Sequence, residues 1–177
     1  MPNWCKNNLR IIDNGEKVLE VLEFLKDDKG HMTFSKIAPL PKELKDTTSP
    51  VPDDVPKEER ERLVKKYGAD NWYDWQCANW GVKWDAHESA FYKNGDYWIV
   101  TFQTPWGPPI EFMKTLSKKF SKMSFELQFA DEGEGQYPLG EAVFEDGAEI
   151  FCDGPEEDTA DARKFAESVW DEEWVEE

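Results

Sequence analysis

Alternation of apolar and polar residues predicts the strands of this chain. Residues 124–129, Ser-Phe-Glu-Leu-Gln-Phe, alternate throughout, as a half-buried strand does. Residues 97–104 are dense in β-branched and aromatic residues and follow an Asn-Gly turn signal, which predicts a hairpin with residues 84–92. A strand at residues 8–12 and a smaller hairpin at residues 142–151 complete the predicted set.

Helical spacing of apolar residues appears between the strands. It predicts one helix over residues 16–26, which Asn14 can cap, and a second that follows Pro109. Two charged helices are predicted at residues 56–67 and 159–174. Residues 33–37 are predicted to form a short extended piece.

Without insertions, the predicted order is strand, helix, strand, strand, helix, strand. This is the split βαβ order of an α+β, ferredoxin-like fold, in which helices cover one face of an antiparallel sheet. We expect a ferredoxin-like domain over residues 1–150, with a helical insertion at about 39–79 before the central hairpin. An acidic C-terminal hairpin and helix follow, and residues 151–177 are expected to form a helical extension packed on the domain.

Four segments combine Trp with Gly, Pro, Asn and charge, which a plain scaffold does not require. They are residues 2–5, 79–85, 104–109 and 131–135. In the predicted topology two strands begin there and two end there, and all four points share one end of the sheet. The expected ligand- or partner-binding residues are Asn3, Trp4, Asn79, Trp80, Lys83, Trp84, Asp85, Trp106, Asp131 and Glu132.

The same segments resemble a known family. Pro2-Asn3-Trp4-Cys5, the Asn-Trp-Gly-x-Lys-Trp-Asp stretch from Asn79, the Phe-x-Thr-x-Trp-x-Pro-Pro stretch from Phe102 and the Ile-Ala-Pro-Leu-Pro segment from Ile37 are similar to motifs of the YubB ferredoxin-like family. The resemblance covers roughly residues 1–150. It implies a ferredoxin-like fold and a phage or plasmid origin, and it brings no catalytic residues with it.

Each of the unusual side chains has a structural and a functional interpretation. Trp80, Trp84 and Trp106 could form an aromatic platform for a base or small ligand, or could plug the open end of the sheet. Asp85, Asp131 and Glu132 could serve acid–base chemistry or hold a divalent ion, or Lys83 could hold Asp85 in an ion pair.

The remaining reactive residues do not predict catalysis. Cys5, Cys77 and Cys152 are far apart, and His31 and His87 have no partner at metal-ligand spacing. The chain also lacks the common phosphate-, nucleotide- and protease-type motifs. We therefore expect a non-enzymatic protein with no cofactor and no metal.

The negative charge is concentrated in the last quarter of the chain. The net charge is −17, and residues 131–177 hold 18 acids against Arg163 and Lys164, a net of −16. Such a surface repels nucleic acid and suits a basic partner. An acidic docking surface is predicted at Glu156, Glu157, Asp158 and Asp161. Solubility alone is the alternative interpretation of this charge.

These observations predict a phage or mobile-element accessory protein that binds a host protein with a basic surface. A nucleic-acid-binding defence factor is one such partner, met by an acidic surface that mimics nucleic acid. The alternative is a small-ligand or nucleotide-binding module that uses the Trp-rich end of the sheet. With no secretory leader and no apolar run of membrane length, we expect a location in the cytoplasm.

Overall fold

The computed structural model describes residues 2–12 and 16–174. Six strands form one sheet in the order β2-β3-β1-β4-β5-β6, and every neighbouring pair is antiparallel. The strands are β1 (Trp4–Ile12), β2 (His87–Asn94), β3 (Tyr97–Pro105), β4 (Ser124–Asp131), β5 (Leu139–Glu145) and β6 (Ala148–Asp153). The first four strands have the ferredoxin-like order, so the expected fold is confirmed, and the acidic hairpin β5–β6 extends the sheet.

The described residues form six helices. They are α1 (Glu16–Leu25), α2 (Lys42–Lys45), α3 (Lys57–Tyr67), α4 (Trp72–Trp80), α5 (Ile110–Lys119) and α6 (Ala160–Trp170). None of these helices combines the length and the apolar character that crossing a membrane requires.

The main core lies between the sheet and helices α1 and α5. Residues of β1 are alternately buried and half-buried, with Cys5, Leu9 and Ile11 on the buried side. They pack in one cluster with apolar residues of α1 and α5, including Leu22 and Met113. Alternation along the strand therefore assigns one whole face of the sheet to this core.

Helix α6 packs on the opposite face of the sheet. Ala162, Ala166 and Val169 are buried there and form a second small core with Ala130 and Leu139. Small residues on the helix let it approach the strands closely. The sheet is thus covered on both sides at the end where α6 crosses it.

The structure corrects four local predictions. Residues 33–37 form a turn instead of an extended piece, and the strand predicted at residues 84–92 begins at His87. Asn79 and Trp80 were expected in a loop but lie in the last turn of α4. The C-terminal helix ends at Trp170 because Asp171 adopts a left-handed conformation (φ 56°) that stops it. The predicted cap Asn14 lies outside the described residues.

Candidate functional site

Among the four ferredoxin-like strands, β1 and β2 begin and β3 and β4 end at the same end of the sheet, which we call the Trp-rich end. Trp4 at the start of β1 lies opposite Pro105, the last residue of β3. Cys5 lies opposite Asp131, the last residue of β4. The backbone N–H of Trp106 donates to Asn3 O at 2.9 Å, and that of Glu132 donates to Trp4 O at 3.0 Å. The predicted convergence of these segments is therefore observed.

Aromatic rings form a connected cluster on this end. The ring of Trp4 stacks on His87, with centroids 4.9 Å apart and planes at 21°. Trp4 also contacts Trp84, at a centroid distance of 6.2 Å. Sequence reasoning did not pair His87 with Trp4, because the two residues are 83 positions apart along the chain.

Lys83 lies between two exposed tryptophans. Its Nζ is 4.0 Å from the ring centroid of Trp84 and 3.7 Å from that of Trp106. Trp84 is 41% exposed and Trp106 52% exposed, so neither ring plugs the core. An ammonium over the faces of two indoles is held by cation–π attraction.

Trp80 and Asn79 do not join this surface. Trp80 is 2% exposed, packs edge-on against Phe34 and donates its indole N–H to Ala38 O at 2.9 Å. Asn79 donates from its side chain to Trp75 O at 2.8 Å within α4. The plugging interpretation therefore holds for Trp80 and fails for Trp84 and Trp106.

Asp85 has a structural role. Its carboxylate accepts from the Phe34 backbone N–H at 2.6 Å and from the Thr33 hydroxyl at 2.7 Å. It also accepts from the Ala86 N–H at 2.9 Å. These bonds fix the turn at residues 33–37 against the start of β2, and the ion pair with Lys83 does not form.

Asp131 is buried where β4 ends. It is 4% exposed and accepts from the Gly133 N–H at 2.9 Å and from the Asn3 side-chain amide at 3.5 Å. Burial raises the pKa of the Asp131 carboxyl. Burial first, and Asp131 second, also raise the pKa of the Cys5 thiol, which keeps it protonated and unreactive.

The candidate carboxylates do not assemble a metal centre. Glu132 is exposed, whereas both carboxylate oxygens of Asp85 and Oδ1 of Asp131 accept hydrogen bonds from neighbouring donors. Within residues 2–12 and 16–174, no three His, Cys, Asp or Glu side chains group as ion ligands do.

The acidic docking residues lie at the same end of the sheet as the tryptophans. Strand β5 begins there and β6 ends there, because Glu141 is paired with Asp153. The β6–α6 connection, with Glu156, Glu157 and Asp158, therefore starts from the Trp-rich end, and all three side chains are exposed. Asp161, in the first turn of α6, is exposed as well.

Helix α6 connects the acidic segment to the last residues of β4. The indole N–H of Trp170 lies 3.1 Å from Ala130 O and 3.2 Å from Asp131 O. Lys6 Nζ lies 5.8 Å from the Trp170 ring centroid. The C-terminus of α6, with the exposed Asp171 next to it, thus abuts the end of β4.

A second group that sequence reasoning missed lies on the open face of the sheet. Arg10 stacks on Tyr97, with Cζ 3.5 Å from the ring centroid, and pairs with Glu126 at 3.2 Å. These residues border a cavity of about 260 Å³. Arg10 faces away from the main core in the alternation of β1, and this is the only sequence signal for the group.

Comparison with known proteins identifies a family. Residues 79–173 match the family model described as the ferredoxin-like domain in Api92-like protein. The crystal structure of protein api92 from Yersinia pseudotuberculosis superposes with a TM-score of 0.50 at 10% identity, covering 88% of this chain and 100% of that one. At this identity the likeness concerns the fold. No curated protein matches the chain in sequence.

These matches correct the family resemblance. The chain does not match the YubB family, and the matched region continues through α6, past residue 150 where the resemblance stopped. The motifs misled because Trp, Gly and Pro are what tight loops around large anchors at a sheet end require. These residue types indicate the local loop geometry and do not identify the family.

Proposed function

The chain belongs to the Api92-like proteins through its ferredoxin-like domain, and we propose that it works by binding a partner protein that carries a basic surface. The observation that carries the proposal is the placement of exposed tryptophans and an acidic segment at one end of one sheet. The proposal involves no chemical reaction and no cofactor.

Trp84 and Trp106 provide the anchors of the proposed interface. Large aromatic side chains that remain exposed are expensive to hydrate and are enriched at interface hot spots. The ring of Trp84 is supported by its contact with Trp4, and the backbone of Trp106 is held by its hydrogen bond to Asn3. A partner would therefore meet rigid anchors that need little ordering on binding.

The acidic segment provides attraction over a longer distance. Glu156, Glu157, Asp158 and Asp161 lie in a region with a net charge of −16, whereas residues 1–130 are nearly neutral. A field of one sign on one side of a molecule steers an oppositely charged partner and speeds association. Solubility alone does not require this concentration of charge.

A nucleotide-binding function is disfavoured at this site. A base would have to stack on Trp84 or Trp106 in place of the Lys83 ammonium, and a neutral base does not restore the cation–π attraction that is lost. The acidic surroundings would also repel phosphates.

Finer aspects of the function stay predictions. The expectation of a phage or mobile-element origin depended on the family resemblance that the family match corrected. The proposal is therefore based only on the chemistry of the surface. Location in the cytoplasm and mimicry of nucleic acid are extensions of it. Mimicry makes a specific demand, namely that duplex DNA competes with this protein for the partner.

Capture from a lysate of the cells that contain the protein tests the proposal. The wild type should retain a basic protein at low salt and lose it at high salt, because the attraction is screened. The double substitution Trp84→Ala and Trp106→Ala should reduce capture, with Tyr92→Ala, an exposed aromatic position toward the other end of β2, as the control. Capture that is insensitive to both salt and the tryptophan substitutions would refute the proposal.

A further inference from the structure

We propose that Trp84 and Trp106 form a cation-binding cage, that Lys83 is its resident occupant, and that a lysine ammonium of the partner takes its place on binding. This inference rests on the proposed function and deepens it by naming the group that the partner inserts. The cage consists of the two indole rings and the space between them.

The cage already holds a cation in the geometry that a ligand would adopt. The Lys83 ammonium lies 4.0 Å and 3.7 Å from the two ring centroids, well inside the distance of about 6 Å at which cation–π attraction is significant. Among the described residues, Lys83 forms no ion pair with a carboxylate. The rings are therefore the main attraction that holds this ammonium in place.

The walls of the cage are fixed before any ligand arrives. Trp106 adopts a left-handed backbone conformation with φ 69°, which a bulky residue rarely occupies. Its N–H bond to Asn3 O holds it there. On the other side, Trp84 is backed by Trp4 and followed by Asp85, which is anchored to the turn at residues 33–37. Strain that the fold maintains next to an exposed site is typical of functional positions.

Exchange of one ammonium for another is energetically inexpensive here. Both rings are about half exposed, so an incoming cation loses little of its hydration. The Lys83 ammonium loses its cation–π attraction to the two rings and is hydrated again, while the incoming ammonium gains a similar attraction. Affinity then comes from the surrounding surface, while the cage selects a partner with a protruding lysine.

Choline and its neutral isostere 3,3-dimethyl-1-butanol test the cage without the partner. Binding is followed by the NMR signals of the indole N–H groups, assigned with Trp84→Phe and Trp106→Phe variants. In Lys83→Met the resident ammonium is replaced by a neutral side chain that the rings hold more weakly, so choline no longer competes with a bound cation and should bind about tenfold more tightly than to the wild type. Lys6→Met, which removes the lysine above Trp170, is the matched control and should bind like the wild type.

Three further readouts define the outcome. In the wild type, choline should shift the Trp84 and Trp106 signals and release the Lys83 ε-methylene from its ring-current shift. The neutral isostere should bind Lys83→Met about tenfold more weakly than choline does. Trp84→Ala in the Lys83→Met background should abolish choline binding, and Trp106→Ala in that background provides a second test of the same cage.

Equal choline affinity in the wild type and Lys83→Met would overturn the inference, as would equal binding of choline and its isostere. A Lys83 signal that stays ring-shifted while choline binds would also overturn it. Lysate capture that still depends on salt and on both tryptophans would leave the proposed function standing without the cage. If lysate capture no longer depends on salt and on both tryptophans while choline binds as expected, the proposed function is refuted instead.

Discussion

At the scale of single residues, tryptophans with similar sequence surroundings have opposite environments. Trp80 and Trp84 are four positions apart, yet the first is 2% exposed and the second 41%. Their difference comes from long-range contacts, since Trp80 meets Phe34 and Ala38 whereas Trp84 meets Trp4. Local sequence identifies an aromatic anchor but does not say whether it faces the core or the solvent.

Substitution of each tryptophan should separate the two roles. Trp80→Ala removes a buried ring and its hydrogen bond, and should lower the free energy of unfolding by about 3–5 kcal/mol. Trp106→Ala should lower it by less than about 1 kcal/mol, because the ring is half exposed. Denaturant unfolding measures both values. Equal losses would show that the assignment of core and surface roles is wrong.

The buried Asp131 predicts a pH-dependent contribution to stability. Because burial raises its pKa in the folded state, the native protein holds the proton more tightly than the unfolded chain. Stability should therefore fall as the pH rises from the ordinary carboxyl pKa through the raised one, where ionisation of the buried group begins to cost free energy.

Asp131→Asn removes this ionisation while keeping the size of the side chain. The difference in free energy of unfolding between Asp131→Asn and the wild type should increase over that pH window and level off above it. Glu132→Gln, at the exposed neighbouring position, is the control and should leave the profile unchanged. A difference that is constant with pH would show that Asp131 does not titrate in this window.

At the scale of elements, sequence periodicity predicted the sheet well but did not predict helices α2 and α4. The strands carry period-two alternation, which survives in the structure as alternating burial, as in β1. Helix α4 was missed because its sequence shows no apolar stripe, although Trp75 and Trp80 are both buried. A helix whose aromatic residues point in several directions resembles a loop when only periodicity is considered.

Both edge strands of the sheet carry devices that discourage pairing with another chain. The β5–β6 register shifts between Val143 and Phe144, and β6 carries the exposed acids Glu149 and Asp153. Strand β2 has an irregularity between His87 and Ala90. Bulges and charges of this kind protect edges, so the proposed partner is expected at the end of the sheet and not along its edge.

Helix α6 should detach from the sheet when its small buried residues are changed. Ala166 is fully buried against the strands, so Ala166→Asp places a charge there and should lower the free energy of unfolding by about 2–3 kcal/mol. Hydrogen exchange should rise across α6 before it rises in β1 and β4. Ser168→Asp, at an exposed position of the same helix, should have little effect.

Uniform loss of protection across the sheet in Ala166→Asp would show that α6 is an integral part of the main core. The division of the chain near residue 150 would then have no physical basis. Loss confined to α6 would support treating the C-terminal helix as an extension of the domain.

At the scale of the whole molecule, charge and topology were readable from the sequence and side-chain geometry was not. The acidic C-terminal quarter and the shared sheet end both followed from residue order. The hydrogen bond of Asp85 to Phe34 and the enclosure of Lys83 did not. The first joins residues 51 positions apart, and the second joins Lys83 to Trp106, 23 positions away, and depends on the conformation of Trp106. The family also could not be read from short motifs.

The association rate of the captured partner, measured against salt concentration, tests whether the acidic segment steers binding. The variant reverses Glu156, Glu157, Asp158 and Asp161 to Lys, and the control reverses Asp28, Asp53, Asp54 and Glu58, which are exposed and lie outside residues 131–177. Both sets change the net charge equally. Steering by the acidic segment predicts that the first set slows association and flattens its salt dependence, whereas the second has a much smaller effect. Equal effects of the two sets would contradict it.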